Sequence, residues 1–423
     1  MILTLLTVLS LIVSPHPDDE PLILTITPNQ KHLITEEIQR AVDSCSAAGG
    51  GTVYFPAGTF RTGGIALKSH VTLRLGEGAT VQGSDDYRDY GAWDWSNALF
   101  RGDSLTDVSF EGKGTIDGVD CTSPKGEAGF RGPHGIYLTH SRRLSFQDIT
   151  IVRSANYAIH CNYCDTVTLN HVTIRGGHDG LHTRFSSNVT AEDCDFRTGD
   201  DAFAGHDNQH FVIRGCRINT SCNGFRMGCQ GLRVEDCHIW GPGEYKHIAQ
   251  DRNNTLSAFV HFSPEDSDPV LVSGDWLIKN VTVENVDNVY VYNHRDGLWQ
   301  TGRPVYNVRF EELTVRDVKK GFTILGDSSR TLRLALDRAT FITTQPSPAP
   351  PFRHEGTPID TDYFLSMDRF DQLTMNQVTF RGFATEPLLE LSNGNEMRVE
   401  QVTFSPQKNT QPFHVRNVRK HGQ

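Results

Sequence analysis

Apolar residues recur along the chain at offsets 0, 2, 5 and 7. Leu144/Phe146/Ile149/Ile151 has this pattern, and Val189/Ala191/Cys194/Phe196, Phe211/Ile213/Cys216/Ile218 and Leu232/Val234/Cys237/Ile239 repeat it. It returns at Trp276/Ile278/Val281/Val283, Val308/Phe310/Leu313/Val315, Leu373/Met375/Val378/Phe380 and Met397/Val399/Val402/Phe404. Alternation, a step of three, then alternation again predicts two short strands joined by a bend, with their apolar sides pointing the same way.

A second frame lies over the first. The segments beginning at Tyr157, Asp179, Asp201 and Asn223 start 22 residues apart, and His134 begins a matching segment 23 residues earlier. Units of this size cannot bury their apolar faces alone, but a stack of them can. The fold class this predicts is all-β, a single right-handed parallel β-helix with an N-terminal capping helix. "TEEIQRAVDSCSAAGGG" supplies the helix: Thr35 is the expected N-cap, Glu36 and Glu37 suit the first turn, and Ile38, Val42 and Cys45 fall near one face. The expected organisation is a possible signal peptide at 1–14, then one domain over 15–423, with a cap at about 30–50, coils at about 51–405 and a tail at 406–423. The repeat is interrupted at Glu244–Asp275 and at the Pro-rich Thr343–Tyr363, lengths that suit groove-lining loops or plain surface excursions.

Composition narrows the partners. The chain has 423 residues, 37% of them hydrophobic, and a net charge of −11, which argues against nucleic acid. The apolar run Ile2–Val13 is too short to span a bilayer, so no membrane span is expected. As the core of a signal peptide it would make the protein secreted or extracytoplasmic; otherwise it is an apolar first strand. "SPHPDDEP", Ser14–Pro21, resembles the zinc-binding opening of the N-acetylglucosaminyl-phosphatidylinositol deacetylases in that motif alone, so no metal is expected from it. Nine cysteines leave at least one unpaired, and Val172, Cys194, Cys216 and Cys237 read as an interior ladder of small apolar side chains.

The 22-residue frame brings chemistry with it. His134, Tyr157, Asp179, Asp201 and Asn223 form one column, followed by a small-residue column and then an apolar one that must face the core. Asp179 and Asp201 are thus one coil apart, about 5 Å at the backbone, with Asp200 at the bend beside them. Carboxylates this close raise the cost of each other's ionisation, so one proton is shared between them or one pKa is raised. Cleavage of a glycosidic bond needs such an acid and base. The plainer alternative is that these are turn aspartates of a solenoid.

The stretch "AVDSCSAAGGGTVYFPAGTFRTGGIALKSHVTLRLGEGATVQGS" resembles the N-terminal part of glycoside hydrolase family 28, the polygalacturonase-like pectinases. The family's Asn-Thr-Asp corresponds to Gly177-His178-Asp179, and its Gly-Asp-Asp to Gly199-Asp200-Asp201. The resemblance implies inverting hydrolysis without a cofactor, with Asp200 as general acid and Asp179 and Asp201 holding and activating water. The family's Gly-His-Gly becomes Cys222-Asn223-Gly224, and its Arg-Ile-Lys has no match. Simple homogalacturonan is therefore a doubtful substrate, and a different pectic or related glycan fits better. Expected substrate-binding residues are His178, His182, His206, Asn223, Arg226, His261 and Phe259. The expected partner is a polysaccharide or oligosaccharide, bound by a monomer. Two alternatives stay open: a lyase or uronate epimerase, with the aspartates on Ca²⁺, and a glycan-binding solenoid that has lost turnover.

Overall fold

In a computed structural model, which describes residues 21–264, 271–295, 303–344, 361–383, 388–406 and 411–421, the offset pattern becomes two strands and a bend. Leu144 and Phe146 lie in the strand Arg142–Gln147 and Ile151 in Thr150–Val152. Asp148 turns the chain between them at φ 60°. The same left-handed bend recurs at His171, Asp193, Gly215 and Asp236 with φ of 52°, 51°, 64° and 56°. A single left-handed residue redirects the chain without unpairing the strands on either side, and Asp bears that conformation more easily than bulkier residues do.

Equivalent strands of successive coils pair in parallel. His134–Thr139 pairs with Ile159–Asn162, Arg142–Gln147 with Asp165–Asn170, and Thr150–Val152 with Thr173–Arg175. This gives three stacks. One is a 13-stranded sheet, and the other two join into a 26-stranded sheet through the long strands Phe203–Arg214 and Asn223–Glu235. Pairing continues past residue 405, since Phe413–Arg416 adds to Leu389–Ser392. Within the segment expected to be a tail, Phe413–Arg416 and Arg419–His421 therefore add two strands to the larger sheet.

The core runs down the axis. Ile136, Ile159, Leu181, Phe203, Phe225 and Phe259 follow one another in register and are buried. Phe259 stacks on Phe225 at 5.1 Å and 10°. The expectation that Phe259 binds substrate is therefore corrected: pairing sets Phe225 opposite Phe259 and Arg226 opposite Val260, so side-chain parity turns Phe259 inward. His261 is corrected for the same reason. It pairs with core-facing Met227, is fully buried, and has Nε2 3.2 Å from the carbonyl of Arg303. All nine cysteines are free and buried.

The helix spans Thr35–Ala47 and buries Ile38, Val42 and Cys45. The N-cap position falls on Ile34, with no side-chain cap. The Thr35 hydroxyl instead accepts the Gly63 N–H at 2.8 Å, tying the helix to the first coil rather than satisfying its own end. No helix among the described residues is long and apolar enough to cross a membrane. The candidate signal peptide and the His-Pro-Asp-Asp-Glu motif lie outside the described residues, as do 345–360 of the Pro-rich interruption.

Candidate active site

The turns that lead from the 13-stranded sheet back to the larger one carry the carboxylates. Asp179 ends the turn before strand Leu181–Arg184, and Asp200 and Asp201 end the corresponding turn before Phe203–Arg214. At one glycine each, both turns pack too closely for a side chain. A Cβ on Gly177 would come 2.6 Å from the Ser154 carbonyl, and one on Gly199 2.4 Å from that of Gly177. The hydroxyl of Thr198 donates to the Asp200 carbonyl at 2.6 Å, and Thr220 donates to it as well. These contacts fix the backbone from which the carboxylates project.

Two long segments on the same side of the coil, 118–133 and 241–256, fold over these short turns. Arg131, from the first, donates through Nη2 to Asp200 Oδ2 at 2.7 Å. His247, from the second, places Nε2 3.4 Å from the same oxygen. Together they roof a cavity of about 340 Å³, whose walls include Glu127, Tyr157, Arg184, Arg252 and Phe262. That volume suits a small ligand or the end of a larger one.

Three carboxyl groups meet in this space, with oxygens of Asp179, Asp200 and Asp201 within 4.8 Å of one another. Burial and the charges of Asp200 and Asp201 push the Asp179 carboxyl well above its ordinary range. Burial and Asp200 also raise Asp201. Burial pushes Asp200 up too, but the His247 hydrogen bond and the Arg131 charge outweigh it and hold Asp200 well below the usual range. The group thus contains both a proton holder and a carboxylate, as general acid–base chemistry needs.

Most of the expected residues converge here. Asp179, Asp200, Asp201, His182, His206, Asn223 and Arg226 all line the cavity. His182 Nδ1 lies 2.7 Å from Asp179 Oδ2, and its ring stacks on Tyr157 at 4.2 Å and 1°. Asn223 donates to Asp201 Oδ1 through its side chain at 2.7 Å and its backbone at 3.1 Å. Arg226 lies 3.5 Å from Asp201 Oδ2 and sits 3.8 Å over the Phe262 ring. His206 contacts Asp207 at 2.7 Å. His178 is buried beside Phe130, outside the cavity lining, while Phe259 and His261 are in the interior.

Sequence reasoning missed Arg131, His247, Arg252 and Phe262. The signal available for the first three was segment length: 118–133 and 241–256 are long where the neighbouring turns are short. The interruption at Glu244–Asp275 was noted as a possible groove wall, but the earlier segment was not. A resident cation fits this site poorly. Asp179, Asp200 and Asp201 offer three oxygens, yet the guanidinium groups of Arg131 and Arg226 already lie against Asp200 and Asp201 and would repel a metal ion.

A right-handed β-helix region model matches residues 108–258. A probable polygalacturonase of Vitis vinifera is 30% identical over 200 residues, covering 41% of this chain and 40% of that protein. The chain spans less than half the length of the first curated relatives it matches. Among solved structures, the family 28 exopolygalacturonase of Yersinia enterocolitica is 17% identical, with a TM-score of 0.60 over 95% of this chain and 78% of that one. The Streptococcus pneumoniae surface protein and adhesin PfbA is 14% identical, with a TM-score of 0.52 over 94% of this chain and all of that one. At these identities the two structures establish the fold, a right-handed parallel β-helix.

Proposed function

We propose that this β-helix protein, similar to polygalacturonases over part of its length, is a glycoside hydrolase that cleaves a pectic or related polysaccharide or oligosaccharide by carboxylate acid–base catalysis. The observation that carries this reading is the group of three buried carboxyls, on adjacent coils within 4.8 Å of one another, whose surroundings pull their proton affinities apart. A protonated member supplies a proton to the leaving oxygen. An ionised member takes a proton from the attacking water. Loss of the family's His is consistent with turnover, because Asn223 occupies its place and holds Asp201 with two hydrogen bonds. Arg184 and Arg226 give the cavity fixed cations to orient an acidic or hydroxyl-rich sugar. For a polysaccharide substrate, an extracytoplasmic location belongs to the same reading, since a polymer is not taken up whole.

The test is product release from a panel of pectic and hemicellulosic polysaccharides, read by reducing sugars and by ultraviolet absorbance, for wild type and Asp201→Asn. New reducing ends without absorbance, lost in the variant, are expected. Ultraviolet-absorbing ends would make the protein a lyase. Binding without products on any glycan would leave a recognition solenoid. The ion pairs in the cavity wall, Arg131–Asp200 and Arg226–Asp201, favour the recognition solenoid more than any other feature does.

A further inference from the structure

Many bends of this solenoid carry residues that take a positive φ readily, among them Asp148, Asp193, Asp236, Asn280 and Asn285. One corner departs from this habit. Tyr163 and Phe185 hold φ of 53° and 51°, and no other Phe, Tyr or Trp among the described residues has a positive φ. His140, one coil earlier, has φ 47°. The three occupy equivalent places: His140 follows strand His134–Thr139, Tyr163 follows Ile159–Asn162 and Phe185 follows Leu181–Arg184. Each backbone N–H donates to the next coil, His140 to the Asn162 carbonyl at 2.9 Å, Tyr163 to that of Arg184 at 2.8 Å and Phe185 to that of His206 at 3.2 Å. Bulky side chains strain the backbone in this conformation, and strain held on adjacent coils points to a use for the side chains.

The rings form a row along the axis. His140 stacks on Tyr163 at 5.1 Å and 7°, and Tyr163 on Phe185 at 4.6 Å and 5°. At one end the row runs into the cavity wall. Phe185 meets His206 edge-on at 5.7 Å, and His206 meets Phe262 at 5.6 Å. His206, Phe262 and Arg184, the residue before Phe185, all line the cavity. At the other end the row opens to solvent: Tyr163 is 41% exposed, and the His140 side chain 58%. Ser104 takes the same corner one coil earlier and brings no ring to the outer face of the imidazole. Asp103 holds that imidazole in place, with Oδ1 2.9 Å from Nδ1.

We infer that His140, Tyr163 and Phe185 form a binding track for a pyranose chain, which leads a glycan out of the cavity toward the N-terminal coils. Three features fit a sugar chain. The row is continuous with the cavity, which at about 340 Å³ encloses only a short piece of a polymer. Its rings recur once per coil, about 4.8 Å apart, close to the advance of one sugar along an extended pyranose chain. Its apolar edges lie beside polar groups, the Tyr163 hydroxyl on the row itself and the Arg184 guanidinium at the cavity end, so a sugar meets ring surface for its C–H groups and partners for its hydroxyls. The inference rests on the proposed function for the ligand being a glycan, and not on the glycan being cleaved.

The test is binding, read by calorimetry, of oligosaccharides two and six sugars long from galacturonan, rhamnogalacturonan and xylan. Asp201→Asn serves as the non-cleaving background, with Asp179→Asn in its place if the first does not fold. At least one series should bind, its six-sugar member about 5–10-fold more tightly than its two-sugar member. Tyr163→Asn and His140→Asn each remove a ring and install a residue that accepts the corner's positive φ, so the turn is kept. Each should bring the six-sugar affinity down toward the two-sugar value.

Six-sugar affinity that stays at the background level in both variants overturns the track, and a melting temperature that moves without it makes the row a packing element. Binding of no series, or binding with no gain from length, overturns it as well. The hydrolase reading fails separately. A length-dependent gain that Tyr163→Asn removes, with no product released by wild type, keeps the track and leaves a glycan-binding solenoid.

Discussion

Arg131 and Asp200 stand 69 residues apart in the chain and 2.7 Å apart in the cavity. Both side chains are nearly sealed from solvent, at 9% and 12% exposure. The pair ties the 118–133 segment to the turn that carries the carboxyls and, beside the His247 hydrogen bond, helps hold Asp200 ionised.

Arg131→Met should therefore lower stability near neutral pH by about 3–5 kcal/mol, because it leaves a buried carboxylate without its main partner. The pH dependence has a definite sign. Asp200 is held below its ordinary range in the folded state, so its contribution is fully present above about pH 4 and fades as pH falls through the lower folded value. Urea unfolding between pH 2 and 7 should show that acid-side fall in wild type and a flatter curve in the variant.

Asp179 works in the opposite direction. Its folded-state proton affinity is raised, so the folded protein binds a proton that the unfolded chain has released. Stability linked to Asp179 is then present below about pH 4 and declines as pH rises toward the folded value, by about 1.4 kcal/mol per unit. Asp179→Asn should remove this decline and leave a protein more stable than wild type at neutral pH. A parallel pair of stability–pH curves would count against the assignment.

Phe259→Ala should cost about 3–5 kcal/mol, as expected for a buried aromatic ring stacked between coils. The folded fraction should bind glycan as wild type does. A rise in KM with no loss of stability would instead place Phe259 at the substrate.

No thiol should react with a colorimetric disulfide reagent in the native protein, and all nine should react after unfolding, since every cysteine is free and buried. A reducing agent should leave the melting temperature unchanged. A shift would reveal a disulfide among the Cys194, Cys216 and Cys237 ladder.

The coils and the carboxylate column could be read directly from the residues. In a solenoid, residues one repeat apart in sequence are neighbours in space, so the period from Asp179 to Asp201 is already a tertiary contact. The apolar column could be read in the same way, and it should have placed Phe259 in the core. The 241–256 segment breaks the count before that coil, which is why the expectation puts Phe259 and His261 at the substrate.

What the repeat alone settled was the architecture, the inward column and the meeting of three aspartates. It could not say which of them keeps a proton. That depends on donors brought in by irregular segments, Arg131 from one side and His247 from the other. Such segments have no period to extrapolate. Their side chains reach the carboxylates only once the coils are stacked, and burial makes each of those contacts large enough to bias the charge.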